Sequence, residues 1–246
     1  MAEVADNLAR VREQIAQAAA KSGRSADEIE LVAITKTHPA EKVREAIEAG
    51  QTLFGESRVQ EARAKIPDLP SNIRWHFVGH LQKNKIRHAL PLFELIHGID
   101  SLALAQEMNR IAEEEGMHPR VLLEVNMAGE GSKFGFSPDK LREQMEELLA
   151  LPRLSIEGLM TIPPLAEEAE ASREHFADLR RLRDALEKEF DLKLPQLSMG
   201  MTNDFPVAVE EGATLVRIGT AIFGERSKKQ KQKATDEHGL SRISEF

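Results

Sequence analysis

The sequence predicts an α/β fold, a single (β/α)8 TIM-type barrel with an extra N-terminal helix. The chain has 246 residues, which is a usual length for one barrel domain. Eight short strand-like runs alternate along it with helical patterns. Several of these runs are apolar without alternation, as is typical of strands covered on both faces. The alternative is an open doubly wound sheet, which is disfavoured because no G-x-G-x-x-G motif follows the first strand.

The strands are read from runs of apolar and β-branched residues that are bounded by turn or helix signals. An amphipathic segment, NLARVREQIAQAAAKSG, precedes the first run and is the predicted extra helix. The first run, LVAITKT, is apolar until it reaches a lysine. In chain order the strands are predicted at residues 31–37, 52–57, 74–79, 95–100, 120–126, 154–162, 196–201 and 215–220.

Helical patterns between the runs carry recognisable start and stop signals. The segment 38–50 ends at Gly50, a residue that commonly terminates helices. The segment 137–151 begins with Ser137, which we predict to be its N-cap. The longest pattern, 173–190, places apolar residues three or four positions apart along its whole length. Together these segments predict the outer helices of the barrel.

The composition changes near residue 226. The last 20 residues, SKKQKQKATDEHGLSRISEF, have few apolar residues and no helical stripe. We therefore expect residues 1–226 to form the barrel domain and residues 227–246 to form a disordered tail.

Composition also indicates the cellular compartment and excludes some classes of partner. The chain has no cysteine, which excludes disulfides and cysteine metal sites and favours a reducing compartment. Its N-terminus lacks an apolar signal core, and no segment approaches 18 uninterrupted apolar residues. The net charge is −8, which argues against a general nucleic-acid binder. We expect a cytoplasmic protein that binds neither nucleic acid nor a membrane.

Lys36 is the first candidate functional residue. It lies at the end of the first predicted strand, and the carboxyl ends of barrel strands build the active site. A lysine at a strand end commonly extends to solvent. In a desolvated mouth, however, its pKa falls and the amine becomes a nucleophile toward aldehydes.

The loops after strands 7 and 8 predict a phosphate site. Barrel enzymes often bind phosphate between these two loops, on backbone N–H groups. Small residues allow the backbone to approach a ligand, and hydroxyl groups add donors. The ligand indicated is thus an aldehyde that bears a phosphate. The predicted cradle residues are Ser198, Gly200, Gly219 and Thr220.

Arg217 lies inside predicted strand 8 and shares a face with Gly219. A guanidinium that points into a barrel needs a partner. Two kinds of partner are open: a strand carboxylate, such as that of Glu124 or Glu157, or a ring nitrogen of a cofactor.

Other polar residues are weaker candidates. His76 and His80 lie four positions apart in a predicted strand, roughly 13 Å by strand rise, so they cannot share one metal ion. His76 is predicted to be a packed strand residue or a wall of the ligand pocket. Lys133, in a Gly-rich loop, is either a solvated lysine or a second site of aldehyde capture. No metal site is predicted.

Five motifs stand out along the chain: LVAITKTHP, LFGESRVQE, WHFVGHLQKNK, GLMTIPP and LSMGMTNDF…EEGATLVRIGTAIFGER. Together they resemble the pyridoxal phosphate homeostasis protein family over residues 5 to 226. The resemblance implies a barrel similar to the N-terminal domain of alanine racemase and pyridoxal 5′-phosphate (PLP) as cofactor. It implies Lys36 as the Schiff-base lysine, Arg217 as the partner of the pyridine nitrogen, and the four cradle residues as the phosphate site. The family more often has Asn where Ser57 stands, and usually has Ser where Thr202 stands.

Two functions follow from this resemblance, a non-catalytic PLP carrier or a racemase-like enzyme. Alanine racemase uses a lysine and a tyrosine on opposite faces of the cofactor, and this chain contains no tyrosine. Arg217 would leave the pyridine nitrogen unprotonated, which weakens the ring as an electron sink. A Schiff-base aldolase is disfavoured, because its lysine would more naturally lie on strand 6.

The carrier is therefore the favoured function, with no catalytic residues assigned. The protein would buffer or deliver PLP in vitamin B6 and amino/keto-acid homeostasis. Its expected partners are PLP and the apo-enzymes that receive it, and we expect a monomer.

Overall fold

In the part of the chain that the structure describes, eight parallel strands form a closed barrel in chain order, which confirms the predicted fold class. The computed structural model describes residues 2–129, 134–164 and 166–224. Lys133 and the predicted tail at 227–246 lie outside the described residues. The strands are β1 (Glu30–Ile34), β2 (Leu53–Glu56), β3 (Arg74–Phe77), β4 (Leu95–Ile99), β5 (Arg120–Glu124), β6 (Ser155–Met160), β7 (Gln196–Ser198) and β8 (Leu215–Ile218).

Helices surround this barrel, and α1 lies across the helices that follow the last strands. It packs on α8, α9 and α2, with Val4, Leu8, Val11 and Ile15 buried at helical spacing. The helices are α1 (Ala2–Lys21), α2 (Ala40–Glu48), α3 (Val59–Lys65), α4 (Ile86–Ala89), α5 (Leu102–Glu114), α6 (Pro138–Leu149), α7 (Arg173–Phe190), α8 (Phe205–Glu210) and α9 (Thr220–Phe223). Across the described residues, every helix is too short or too polar to cross a membrane.

Local signals account for several helix ends. The hydroxyl of Ser137 accepts a hydrogen bond from the amide of Lys140 at 3.3 Å, which confirms the predicted N-cap of α6. Gly50 has φ = +79° just after α2, where a side chain would be strained. The strands are shorter than predicted at their carboxyl ends. β1 ends before Lys36, and Thr37 has φ = +67°, which is incompatible with an extended strand.

The barrel separates two apolar layers because strand residues alternate in direction. Residues that face outward pack under the helices in the main core. Residues that face inward fill the barrel and form a second, smaller cluster. That inner cluster consists of Val32, Ile34, Leu53, Leu95, Leu122, Met160 and Leu215. The polar side chains of the candidate site lie among and beyond these residues.

Candidate functional site

Lys36 and the loop after β8 are brought together by the closure of the barrel. β1 pairs with β8 through the register Ala33 to Ile218. Lys36 is half-buried just beyond this pairing. A Cβ on Gly219 would lie 3.3 Å from the carbonyl oxygen of Ile34. The absence of a side chain at Gly219 therefore lets the two strand ends approach closely.

The aromatic ring of Phe223, in α9, packs on the loop that carries Lys36. Its centroid lies 5.1 Å from that of the His38 imidazole. This contact joins the loops that follow the first and last strands. The barrel mouth thus has a continuous wall from the lysine to α9.

The backbone on both sides of Lys36 is anchored by buried polar contacts. Thr35 donates its hydroxyl to Glu56 Oε1 at 2.7 Å, and its carbonyl oxygen accepts from Lys65 Nζ at 2.9 Å. Lys65 and Glu56 also form an ion pair that is almost completely buried. On the other side, the amide of Thr37 donates to Glu61 Oε2 at 2.8 Å. These contacts hold the backbone from which the side chain of Lys36 projects.

Gly200 shapes the loop after β7. It has φ = +90°, and a Cβ there would lie 2.6 Å from Cβ of Ala208 and 2.9 Å from Cα of Phe205. Only glycine fits, since both the backbone angle and the space exclude a side chain. The carbonyl oxygen of Gly200 accepts from the amide of Arg217 at 3.0 Å, which ties this loop to β8.

Thr202 links the loops after β7 and β8, and the sequence reading did not include it in the cradle. Its hydroxyl oxygen accepts a hydrogen bond from the amide of Ala221 at 3.4 Å. Thr220, which was included, is exposed at the start of α9. A signal was available, since the resembling family usually has another hydroxyl residue, Ser, at position 202. The structure thus places the Thr202 hydroxyl between the two loops predicted to hold a phosphate.

Ser198 lies deeper than its predicted role requires. It is the last residue of β7, and its side chain is fully buried inside the barrel. Its hydroxyl contacts Arg217 Nη1 at 2.5 Å and His97 Nδ1 at 2.8 Å. The reason is strand alternation, which directs this side chain into the barrel and toward the neighbouring strand β8. The hydroxyl group expected in the cradle is therefore engaged in the interior.

Arg217 is buried in β8 and makes two hydrogen bonds from the ends of its guanidinium. Nη1 donates to Ser198 Oγ, and Nη2 donates to the carbonyl oxygen of Thr161 at 2.9 Å. Burial lowers the pKa of Arg217 to about 10, while the charge of Glu124 opposes that shift. The guanidinium stays protonated at neutral pH. Of the two carboxylates considered from sequence, Glu157 instead accepts from Arg120 at 2.6 and 2.7 Å.

Two buried histidines continue from Ser198 across the barrel. His97, in β4, places Nε2 3.0 Å from Nδ1 of His76 in β3. Burial lowers the pKa of His76 to about 3 and that of His97 well below its ordinary value, so both rings are neutral. Sequence reasoning placed His76 in the packed interior or the pocket wall, but it missed His97. The signal for His97 was a polar residue inside the apolar run LIHGID.

The opposite side of the mouth carries acidic groups and an aromatic side chain. His80 Nδ1 lies 2.9 Å from Asp100 Oδ2, and its ring stacks on Phe134 with centroids 3.9 Å apart. The hydrogen bond to Asp100 raises the pKa of His80. Burial, with repulsion from Asp100, raises the pKa of Glu124 to about 7. The charges at the mouth are thus cationic near β8 and mainly acidic near β4 and β5.

A cavity at the opposite end of the barrel is a weaker candidate. It has a volume of about 230 Å³, and Arg12 and Arg74 contribute to its lining. Both arginines are already engaged. Arg12 donates to the carbonyl oxygens of Ala49 and Gly50, and Arg74 Nη2 lies 2.5 Å from Glu30 Oε1. The cavity therefore presents no uncommitted cation from these two residues.

Known proteins resemble this chain in sequence over most of its length. The family model described as "Alanine racemase, N-terminal domain" matches residues 7–227. A pyridoxal phosphate homeostasis protein of Aquifex aeolicus is 45% identical over 222 residues, which cover 90% of this chain and 97% of that protein. The protein of the same name from Escherichia coli is 41% identical over 237 residues, with 94% and 100% covered.

Solved structures also resemble this chain. PipY of Synechococcus elongatus with PLP bound has a TM-score of 0.79 and 41% identity, covering 90% of this chain and 100% of that one. The alanine racemase of Clostridium difficile has a TM-score of 0.70 at 16% identity, and this chain covers 60% of its length. At that low identity the likeness concerns the fold alone.

Proposed function

Because this chain belongs to the pyridoxal phosphate homeostasis protein family, within the alanine racemase N-terminal domain fold, we propose that it binds PLP at the barrel mouth and buffers or delivers it without catalysing a reaction. The observation that supports the proposal is that the chain segments bearing the candidate binding groups follow neighbouring strands at one end of the barrel. They are the turn that contains Lys36, the loops at Gly200 and Gly219, and the end of β8 that contains Arg217.

The donor set of the mouth fits the chemistry of PLP. An amine suits an aldehyde, a guanidinium suits a ring nitrogen that accepts a hydrogen bond, and backbone amides with a hydroxyl suit a phosphate. Glycine at positions 200 and 219 keeps both loops short of side chains, and the space that a Cβ would need is taken by Ala208 and Phe205 at Gly200 and by Ile34 at Gly219. When bound, PLP supplies a reactive aldehyde carbon and a conjugated ring that withdraws electrons.

Each residue of the candidate site then has a defined role. Lys36 holds the aldehyde end, while Gly200, Gly219, Thr220 and Thr202 hold the phosphate. Arg217 donates to the ring nitrogen. We assign Ser198 to the support of Arg217, since its hydroxyl is committed to that guanidinium.

The same residues favour binding over catalysis. Arg217 remains protonated and has no lone pair to offer, so it cannot accept the ring-nitrogen proton or exchange protons with a substrate at neutral pH. The chain contains no tyrosine to act as a second base. A racemase-like activity is the second candidate, and the observation that favours it is Glu124, whose pKa of about 7 suits proton transfer.

The partners and compartment are part of the same proposal. A carrier that releases its cofactor would supply apo-enzymes that require PLP, and it would do so as a monomer in the cytoplasm. The lack of cysteine supports a reducing compartment. A transfer assay would test delivery: PLP-loaded protein should activate an apo-enzyme faster than the spontaneous loss of PLP into buffer allows.

The binding site itself is tested by covalent mapping. The protein mixed with PLP should be yellow, and borohydride reduction followed by peptide mass mapping should place the pyridoxyl group on Lys36. Lys36→Ala should lose the absorbance yet remain folded. Lys42→Ala, a change in α2, is the matched control and should retain it. A label found only on other lysines would refute the assignment.

A further inference from the structure

A chain of hydrogen bonds crosses the inside of the barrel and ends at the guanidinium of Arg217. It runs from His76 in β3 through His97 in β4 and Ser198 in β7 to Arg217 in β8. The successive heavy-atom distances are 3.0, 2.8 and 2.5 Å. All four side chains are buried among apolar residues of the barrel interior. Four strands thus contribute one polar side chain each to a single continuous path.

The chemistry of the groups gives this path a direction. A guanidinium can only donate, so the oxygen of Ser198 accepts from Arg217. The hydroxyl proton of Ser198 then points to Nδ1 of His97. His97 carries its proton on Nε2 and donates it to Nδ1 of His76. This arrangement gives each contact in the path one donor and one acceptor.

This chain of hydrogen bonds orients the side chain of Arg217 and adds no charge to the barrel interior. Both imidazoles are neutral because their surroundings are buried and because Arg217 and Arg74 lie near enough to disfavour further positive charge. His97 and Ser198 have no exposed surface. They can therefore act on a ligand at the mouth only through the guanidinium that they hold.

The chain of hydrogen bonds also limits the conformational freedom of the Arg217 side chain. A buried guanidinium on a long side chain has several rotamers, and the acidic Glu124 attracts it toward β5. Contacts at both Nη1 and Nη2 fix the plane of the group between Ser198 and Thr161. Two N–H bonds of these nitrogens and that of Nε remain for other acceptors.

We propose that His97, acting through Ser198, is a positioning residue that fixes Arg217 for the ring nitrogen of PLP, and that His76 seats His97 in the required orientation. The inference rests on the proposed function. It goes beyond it by assigning a task to three buried residues that need not touch the ligand. Its consequence is that the ring-nitrogen contact depends on a side chain in β4, on the far side of the barrel from β8.

The test uses two ligands and a graded set of variants. PLP is compared with its deaza analogue, in which a C–H replaces the ring nitrogen and removes the acceptor for Arg217. His97→Leu removes the acceptor for the Ser198 hydroxyl and replaces the imidazole by an apolar side chain of similar bulk. We expect it to weaken PLP binding by roughly 10-fold, the loss of about one hydrogen bond, and to leave binding of the deaza analogue within about twofold.

Conservative replacements separate positioning from packing. His97→Asn keeps a carbonyl acceptor near the place of Nδ1 and should restore most of the preference for PLP. His97→Gln reaches instead toward His76 and should restore less of it. Leu95→Val, two residues earlier in β4 and facing the same interior, is the control for altered packing and should change both affinities equally.

The outcomes distinguish the inference from the proposed function. An equal loss for both ligands in His97→Leu, or equal recovery in the Asn and Gln variants, would overturn the positioning role while leaving PLP binding intact. Failure of the unaltered protein to bind either ligand would refute the proposed function and this inference with it. If His97→Leu fails to fold, Ser198→Ala breaks the same path with a smaller change, and the same two ligands decide.

Discussion

The amide of Ala221 donates a hydrogen bond to the hydroxyl oxygen of Thr202 at 3.4 Å, which joins the loop after β7 to the first turn of α9. Each loop alone presents only a few backbone amides. Joined, they form one surface beside Lys36, which lies on the neighbouring strand β1. This relationship is the reason why we propose Thr202 as a phosphate-binding hydroxyl group.

We predict that Thr202→Val weakens PLP binding by about 10- to 100-fold, because a hydrogen bond to a charged group contributes about 1.5–3 kcal/mol. Binding of pyridoxal, which has no phosphate, should be weak in the unaltered protein and unchanged by the substitution. Thr52→Val, at the opposite end of the barrel, is the control. Spectrophotometric titration measures both ligands. Equal affinity of the unaltered protein for the two would exclude the phosphate cradle.

We predict that Lys65→Met destabilises the fold by about 3–5 kcal/mol at pH 8, because it leaves the buried carboxylate of Glu56 without its ion-pair partner. Burial raises the pKa of Glu56, and Lys65 opposes that rise. Without Lys65 the pKa rises further, so the penalty is largest at high pH and decreases as the pH falls and Glu56 takes up a proton. Urea denaturation at pH 5 and pH 8 measures this difference.

The matched control for that experiment removes the charge of the partner as well. Glu56→Gln combined with Lys65→Met should be more stable at pH 8 than Lys65→Met alone. A single variant whose stability deficit is independent of pH would show that lost packing, and not the unpaired carboxylate, causes the effect.

Glu124 should make the stability depend on pH. Its pKa in the folded state is about 7, raised from 4.5 by burial and by Asp100. A raised pKa contributes stability that is fully present below about pH 4.5 and is lost as the pH rises to about 7. Relative to Glu124→Gln, the unaltered protein should therefore lose at most about 1.4 kcal/mol per pH unit in that window. If the free energies of unfolding of the two proteins changed equally with pH across this window, the raised pKa of Glu124 would be contradicted.

We predict that the protein does not racemise alanine at an enzyme-like rate. General acid–base catalysis typically contributes about 10²–10⁴-fold, and the chain has no tyrosine to provide it on the second face. The measurement is D-alanine formation from L-alanine with saturating PLP, with Lys36→Ala and Glu124→Gln as controls. A turnover of roughly 10 s⁻¹ that both substitutions abolish would show that the protein is a racemase and not a non-catalytic carrier. Slow exchange that is independent of Lys36 would match free PLP.

The sequence by itself determined the barrel and the position of the amine. Apolar runs that alternate with amphipathic segments have few other ways to bury their surfaces, and a lysine after the first run must lie at the carboxyl end of the strands. The sequence also predicted close approach at Gly200 and Gly219, for a phosphate; in the structure the close neighbours of these glycines are Ala208, Phe205 and Ile34, and the phosphate site stays a prediction.

The tertiary structure alone decided where each hydroxyl group lies and what it contacts. Ser198 and Thr202 lie in one motif, yet Ser198 is the last residue of a strand and points inward, whereas the turn at Gly200 redirects the chain and brings Thr202 to Ala221. His97 joins Ser198 across 101 positions of sequence. Such contacts depend on strand register and barrel closure, which place residues from distant segments side by side and which local sequence patterns do not encode.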